Sequence, residues 1–443
     1  MNWRFYFCIF ISCCCNFLFG YHLVALNNES FISSFTNVIA LIVATTMFSV
    51  GGLVGAMVAG IKARRKVFFL FVSLFCGIGS ICQISNILVL ICIGRFFVGV
   101  GCGIGLSISP NYISEITPAR YRGIATNATN FVTVVAICVS SVFGYVVDWV
   151  VTAGIPIIFS AIIFFGLFFI VESPKFLYYE SSRALAIQTL SKIRCRTWNL
   201  NSEILSWEVA SESTEEAMNT LDSSIDLKGN PSRNSTRSFR DMVNTYMHRR
   251  HLLLLCILHA LQHLSGMNVV YYYSTFILRQ VFPTQANLYS ILLTVFNVFS
   301  SLPLFFIIEK IKRKTLLQIN FLGAGLSQGL LCFSLINGQP YLALLSMLLI
   351  LFFFNLGIGL LPFLLIPELF DLPTRGYASF LAVSVNWIFN IIVASTFVFF
   401  LMFLKEYVFL IFMVFMFIGV YISKFLPETR NLSPEQFRIS LGY

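Results

Sequence analysis

The feature that most constrains this chain is the alternation of long apolar runs with short polar gaps. Apolar runs fall near 3–26, 37–60, 67–84, 87–109, 124–147 and 150–171, then near 252–278, 286–308, 315–336, 341–366, 377–403 and 407–426. Crossing the ~30 Å hydrocarbon layer takes about 20 apolar residues in a helix, which satisfies its own backbone in lipid. Twelve such runs nearly fill 443 residues. Only 11% of the residues are charged, too few to clothe a soluble domain. The expectation is an all-α membrane protein, surrounded by membrane lipid and built from twelve transmembrane helices. The first run is too long for a leader-peptide core and is read as the first of them.

The one long gap separates the sixth and seventh runs. Residues 172–250 hold 11 of the 29 basic and 10 of the 19 acidic side chains, which marks a polar linker. Within it, Arg183 to Arg194 spaces Leu185, Ile187, Leu190 and Ile193 as a short amphipathic helix would. Ser211 to Ser238 is too polar to order itself. The expected units are therefore a six-helix bundle over 1–171, a cytoplasmic linker over 172–250, a second bundle over 251–426 and a tail over 427–443.

With both termini inside, outer connections carry only Arg279 and Lys405, Arg95 lies within the fourth run, and all other Lys and Arg face the cytoplasm. The net charge of +10 then reflects membrane orientation, and no nucleic acid partner is needed. Every cysteine except Cys195 sits in an apolar run, with no disulfide framework and no metal spacing. These cysteines read as packing residues, with palmitoylation near the first helix as the alternative. No nucleophile elbow or phosphate loop is present, and Gly99 to Gly105 lies in a membrane run where glycines serve close packing. The chain is expected to be no enzyme, with no cofactor and no metal.

The two sets of runs repeat each other. Arg64-Arg65-Lys66 follows the second run and Lys312-Arg313-Lys314 follows the eighth. Glu115 after the fourth precedes Arg122-Gly123 by seven residues, as Glu368 after the tenth precedes Arg375-Gly376. Glu172-Ser173-Pro174 follows the sixth, and Pro427-Glu428-Thr429 the twelfth. A duplicated six-helix unit is the arrangement of transporters whose halves rock about a site near the midplane.

These motifs resemble the sugar porter branch of the major facilitator superfamily, most closely the facilitative hexose transporters of animals. Further matching stretches are Phe48 to Gly52, Gly94-Arg95-Phe96, Pro110-Asn111-Tyr112, Gln262 to Asn268, Tyr272 to Thr275, Pro367 to Phe370 and Asn386-Trp387. The resemblance covers nearly the whole chain. It implies the major facilitator fold, a small-molecule sugar as substrate and transport by alternating access.

A sugar is neutral and dense in hydroxyls, so its site needs side chains that both donate and accept, plus an aromatic face. Gln262, His263 and Asn268 in the seventh run can line one cavity if the helix breaks near Gly266. The resemblance places Gln262, Asn268, Asn297 and Asn390 among sugar-bonding positions. It adds Asn130, His263, Asn355, Phe363 and Trp387 at the same pocket. Each amide alone has the alternative of bonding a neighbouring helix. Tyr272 and Tyr273, with Glu115, Arg122, Glu368 and Arg375, resemble the family's gating residues.

Several positions depart from the family pattern. His263 stands for a second Gln, Asn130 for Gln, Phe363 for Trp and Asn355 for Glu, and the loop Gly60 to Lys66 is shortened. His22 occupies the place of the carboxylate that proton-coupled relatives set beside the Arg95 position. Every Asp and Glu lies in a loop or near a run's end. Uniport of a hexose such as glucose is therefore expected. The alternatives are a proton-coupled symporter, through His22 or His263, and a transport-deficient sugar sensor, against which the short stretch after the last run speaks.

Overall fold

The structure, a computed structural model, describes residues 1–26, 38–61, 63–85, 87–118, 121–195, 198–201, 203–205, 207, 246–308, 310–370 and 372–429. The polar stretch 211–238, most of the tail, and the side chains of Arg122 and Arg375 lie outside the described residues.

Six helices form the first half: α1 Trp3–Val24, α2 Val38–Ala59, α3 Arg65–Gln83, α4 Leu88–Ile116, α5 Arg122–Val146 and α6 Trp149–Gly166. The linker adds α7 Pro174–Glu180 and α8 Arg183–Ile193. In the second half, α9 Tyr246–His263 and α10 Met267–Arg279 share the seventh span, and α11 Ala286–Ser301 and α12 Pro303–Ile307 the eighth. The ninth is α13 Arg313–Ile336. The tenth is α14 Pro340–Phe353, a π-helical turn Phe354–Ile358 and α15 Leu361–Leu369. The last spans are α16 Leu372–Leu404 and α17 Val408–Ile422.

Among the described residues, eleven stretches are long and apolar enough to cross a membrane, and the last of them, Gly376–Phe425, runs for 50 residues. At about 1.5 Å per residue that is more than twice the thickness of the hydrocarbon layer. The chain reverses inside it at Lys405, whose φ is 49°. Phe397 and Phe412 consequently meet with ring centroids 6.4 Å apart. The stretch thus holds two spans, which makes twelve in an integral membrane protein.

Two boundaries differ from those the hydropathy suggests. α4 continues through Pro110 to Ile116, so Glu115 sits in its last turn and not in the following connection. Glu368 likewise lies in the last turn of α15. Hydropathy falls at these polar residues, but the backbone bonds continue past them, as membrane helices tolerate around proline. In α8 the buried side chains are Ala186, Thr189, Leu190 and Ile193, whereas Leu185 is exposed.

Glycines set how closely the helices approach. Gly51 and Gly55 of α2 face the backbone carbonyls of Phe96 and Val100 on α4, and Gly99 and Gly103 of α4 face those of Phe48 and Gly52. A Cβ at any of the four would collide with a carbonyl oxygen, so the seam is backbone against backbone. The halves meet chiefly where α2 packs on α16 and α5 on α11. The end of the molecule carrying Arg64 to Lys66 and Lys312 to Lys314 is called the basic end below.

Candidate sugar-binding site

Gly266 adopts a φ of 77°, in the left-handed region, and ends α9 before α10 begins. The break falls where the sequence leads one to expect it. Ser265 ties it together. Its hydroxyl donates to the Gln262 carbonyl at 2.6 Å and accepts from the Met267 N–H at 3.3 Å, and its carbonyl accepts Gln328 Nε2 of α13 at 2.5 Å.

Three hydrogen-bonded groups gather around this break. In the first, Gln262 Nε2 donates to the Gly359 carbonyl and Asn386 Nδ2 donates to Gln262 Oε1, each at 2.7 Å. Asn386 Nδ2 also lies 3.3 Å from His259 Nδ1. Because a carbonyl can only accept, Gly359 orients the Gln262 amide, which in turn orients Asn386. Phe363 stands edge-on to His259 with centroids 4.7 Å apart.

The second group centres on the π turn. Asn355 Nδ2 donates to Asn297 Oδ1 and to Ser300 Oγ, both at 2.6 Å, and Asn297 Nδ2 donates to the Tyr271 hydroxyl at 3.2 Å. The third spans the halves: Tyr272 Oη and Ser49 Oγ both donate to Asn390 Oδ1, at 3.3 and 3.1 Å. His263 and Asn268 face one another through Nδ1 and Nδ2. Tyr273 donates to the Ala394 carbonyl at 3.1 Å and stacks on Phe397.

Trp387 supplies the aromatic wall. Its ring packs edge-on to Phe48 and Phe19 of the first half, 5.7 and 6.0 Å between centroids, and lies over Gly52, where a Cβ would strike the indole. Trp387 Nε1, His259 Nε2 and His263 Nε2 are buried without a hydrogen-bond partner among the described residues. A hydroxyl-rich ligand is the kind of molecule that satisfies such groups. Beside Tyr271 a cavity of about 10 Å³, bordered by Val24 and Thr294, has room for one water at most. Gln262, Asn297, Asn355, Asn386 and Asn390 thus bond one another, a backbone carbonyl or a neighbouring hydroxyl.

Of the binding residues expected from the sequence, Gln262, Asn297, Asn355 and Asn390 fall in the three groups, His263 and Asn268 pair with each other, Phe363 packs on His259, Trp387 faces the first half, and Asn130 is half-buried on α5 outside the groups. His259, Asn386, Tyr271 and Ser49 join them without having been singled out as site residues. His259 stands one helical turn before His263 and shares its face. Asn386 and Ser49 lie inside motif stretches, and Tyr271 precedes the tyrosine pair.

Arg95 is fully buried near the end of α1 away from the basic end. Its Nη1 donates to the His22 carbonyl at 2.8 Å, its Nε to the Ala44 carbonyl at 3.4 Å, and its guanidinium lies 4.6 Å over the Phe48 ring. His22 is in the last turn of α1, where carbonyls lack helical partners and the helix dipole is negative. The His22 carbonyl at the end of α1, the Ala44 carbonyl within α2 and a π face therefore hold this cation, and its Nη2 has no partner among the described residues. No carboxylate holds it among the described residues.

At the basic end the two halves carry the same polar network. Arg65 pairs with Glu115 at 2.7 Å, and both oxygens of Glu172 accept backbone N–H groups of the first turn of α3. Arg313 pairs with Glu368 at 3.1 Å, and Glu428 accepts the Arg313 N–H at 3.2 Å. The sequence pairs Glu115 with Arg122 and Glu368 with Arg375 by spacing. The partners described here are Arg65 and Arg313, supplied by the basic triplets of the same half.

The family model described as "Sugar (and other) transporter" matches residues 7–440. The chain is 29% identical over 415 residues to facilitated glucose transporter member 3 of solute carrier family 2 from Oryctolagus cuniculus, covering 89% of this chain and 80% of that one. It is 27% identical over 415 residues to member 14 from Homo sapiens, covering 89% and 76%. Among solved structures, the proton:xylose symporter XylE bound to 6-bromo-6-deoxy-D-glucose superposes with a TM-score of 0.79 at 20% identity, over 99% of both chains. That likeness identifies the twelve-helix major facilitator fold. On the match across nearly its whole length, the chain belongs to the sugar (and other) transporter family.

Proposed function

We propose that this protein is a facilitative carrier of a hexose such as glucose, working as a uniporter by alternating access in the plasma membrane with both termini in the cytoplasm. The basic end is then the cytoplasmic end, in line with the positive-inside rule. Gln262, His263, Asn268, Asn297, Asn355 and Asn390 bind the sugar hydroxyls, with Asn130 contributing from the first half and Phe363 and Trp387 giving the ring its stacking faces. Tyr272 and Tyr273 gate the outer side, and Glu115, Arg122, Glu368 and Arg375 the inner. The relatives named as glucose transporters support the substrate class.

The observation that carries the coupling mode is Arg95. A proton-coupled carrier needs a titrating group that changes the conformational equilibrium. Arg95 instead meets two carbonyls and a phenyl face, which do not titrate, and this supports uniport. The test is uptake of a panel of labelled sugars by proteoliposomes under an inward proton gradient, with and without a protonophore. Accumulation is expected to stop at equal concentrations for D-glucose or a related hexose, also with His22→Asn. Uphill uptake abolished by the protonophore would overturn uniport.

A further inference from the structure

The charge on Arg95 exceeds what its surroundings return. The side chain has no exposed surface; Nη1 and Nε each donate to a carbonyl, while Nη2 has no acceptor among the described residues. The end of α1, whose His22 carbonyl takes Nη1, supplies roughly half a negative charge. The Phe48 face attracts the cation but carries no net charge. The titratable side chains near enough to feel the guanidinium are His22, Tyr272, Cys92 and Cys102, and none is a carboxylate. About half of the charge is thus left unmatched in a membrane interior, where burying it is costly.

A second buried donor stands beside it. His22 is fully buried, and its Nδ1 has no partner among the described residues. Ser80 Oγ lies 3.4 Å from His22 Nε2. With that hydroxyl donating to Nε2, Nδ1 carries the ring proton and can only donate. Arg95 and His22 are already joined through the His22 carbonyl, so both free donors belong to one small region at the end of α1. Ile91, one turn before Arg95 on α4, packs there with Leu26, Ala44 and Trp149. A water would take up an N–H and leave the charge, whereas a small anion answers both.

We infer that Arg95 and His22 form a binding site for a small monovalent inorganic anion of the chloride class, held by Nη2 and Nδ1 as counter-ion to the guanidinium. Such an ion accepts from several N–H groups at once and costs less to dehydrate than a divalent one. The site is separate from the sugar-binding groups yet adjoins them, because Arg95 lies 4.6 Å over Phe48, whose ring packs 5.7 Å from Trp387. It goes beyond the carrier reading above and stands whichever cargo is carried.

The test uses the full chain, purified in detergent without sugar. Radiolabelled chloride is expected to bind saturably, displaced by bromide and not by gluconate. Replacing gluconate with chloride at equal ionic strength should raise the melting midpoint by about 2 °C or more. His22→Asp sets a fixed carboxylate beside the guanidinium and should weaken chloride binding at least about tenfold, since like charges brought together repel. If that variant lacks a cooperative melting transition, Arg95→Gln, which removes the charge, is read in its place with the same expectation. Glu29, the acidic residue nearest His22 in sequence, lies outside the described residues, and Glu29→Gln should bind chloride as the parent does. No saturable binding to the parent protein, or unchanged binding to the folded variant at 22 or 95, would overturn the site. Binding gained only with Glu29→Gln would give the counter-charge to that carboxylate and overturn it as well.

Discussion

Arg65 grips Glu115 through both ends of its guanidinium fork, Nη2 to Oε1 at 2.7 Å and Nε to Oε2 at 3.1 Å, and both residues belong to the first half. Bidentate geometry of this kind is among the stronger polar contacts. Since it joins α3 to α4, its loss loosens one half and does not by itself part the two. Glu115→Gln is expected to weaken the protein by about 1–3 kcal/mol, because a charge-assisted bond is lost and Arg65 is left short of an acceptor. A melting curve in detergent checks this; an unchanged midpoint would reduce the pair to a solvated contact worth little.

The counterpart in the second half predicts a pH dependence. Burial pushes the Glu368 carboxyl above its ordinary range, and Arg313 and Thr429, which donates to Oε2 at 2.5 Å, pull it back only in part. A raised value in the folded state means that the protonated form is favoured there. The contribution is full below the unfolded-state value, near 4.5, and is lost as pH rises through the folded value. The melting temperature should therefore fall as pH rises above that range, and Glu368→Gln should flatten this part of the profile. A profile equally steep in the variant would assign the dependence to other groups.

Gln262 links a backbone carbonyl of the tenth span to Asn386 of the eleventh. Gln262→Ala removes both links and any bond to sugar, each worth roughly 0.5–1.5 kcal/mol net. Uptake at limiting sugar should drop at least several-fold while surface expression is kept. Unaltered kinetics at equal expression would put the sugar elsewhere.

Gly266 is held in the left-handed region with Gln328 and Phe412 closing on the place a Cβ would occupy. Gly266→Ala should cost about 1–2 kcal/mol from the backbone alone, with more from the contact. Size-exclusion chromatography should show less monodisperse protein, and normal yield with normal transport would contradict a need for the break.

The twelve spans were legible because lipid demands length and apolarity, and both are one-dimensional properties. The break at Gly266 was legible because a glycine interrupts a cluster of amides. The π turn at Phe354–Ile358 was not: its residues are ordinary apolar helix formers apart from Asn355 and Gly357, and only packing decides an extra residue per turn. Arg65 and Arg313 as partners of Glu115 and Glu368 were not legible for a related reason. Spacing points to a neighbour seven residues on, whose side chain lies outside the described residues, whereas these partners arrive from the connection two spans earlier, a distance only the folded bundle closes. His259 and Asn386 entered the site the same way, through contacts between spans.

The α2–α4 seam also has a mechanical meaning. Two helices touching backbone to backbone have little room to slide or roll against each other, so Ser49 and Gly52 are expected to move toward α16 together, as parts of one stiff seam. The second half concentrates the compliance, with joints at Gly266, at Leu302–Pro303 and at the π turn. The same joints bear Gln262, Asn297 and Asn355 or lie within a turn or two of them. Substitutions that retune which sugar is held will thus also retune how easily the second half gives way, so selectivity and turnover in this carrier are expected to drift together.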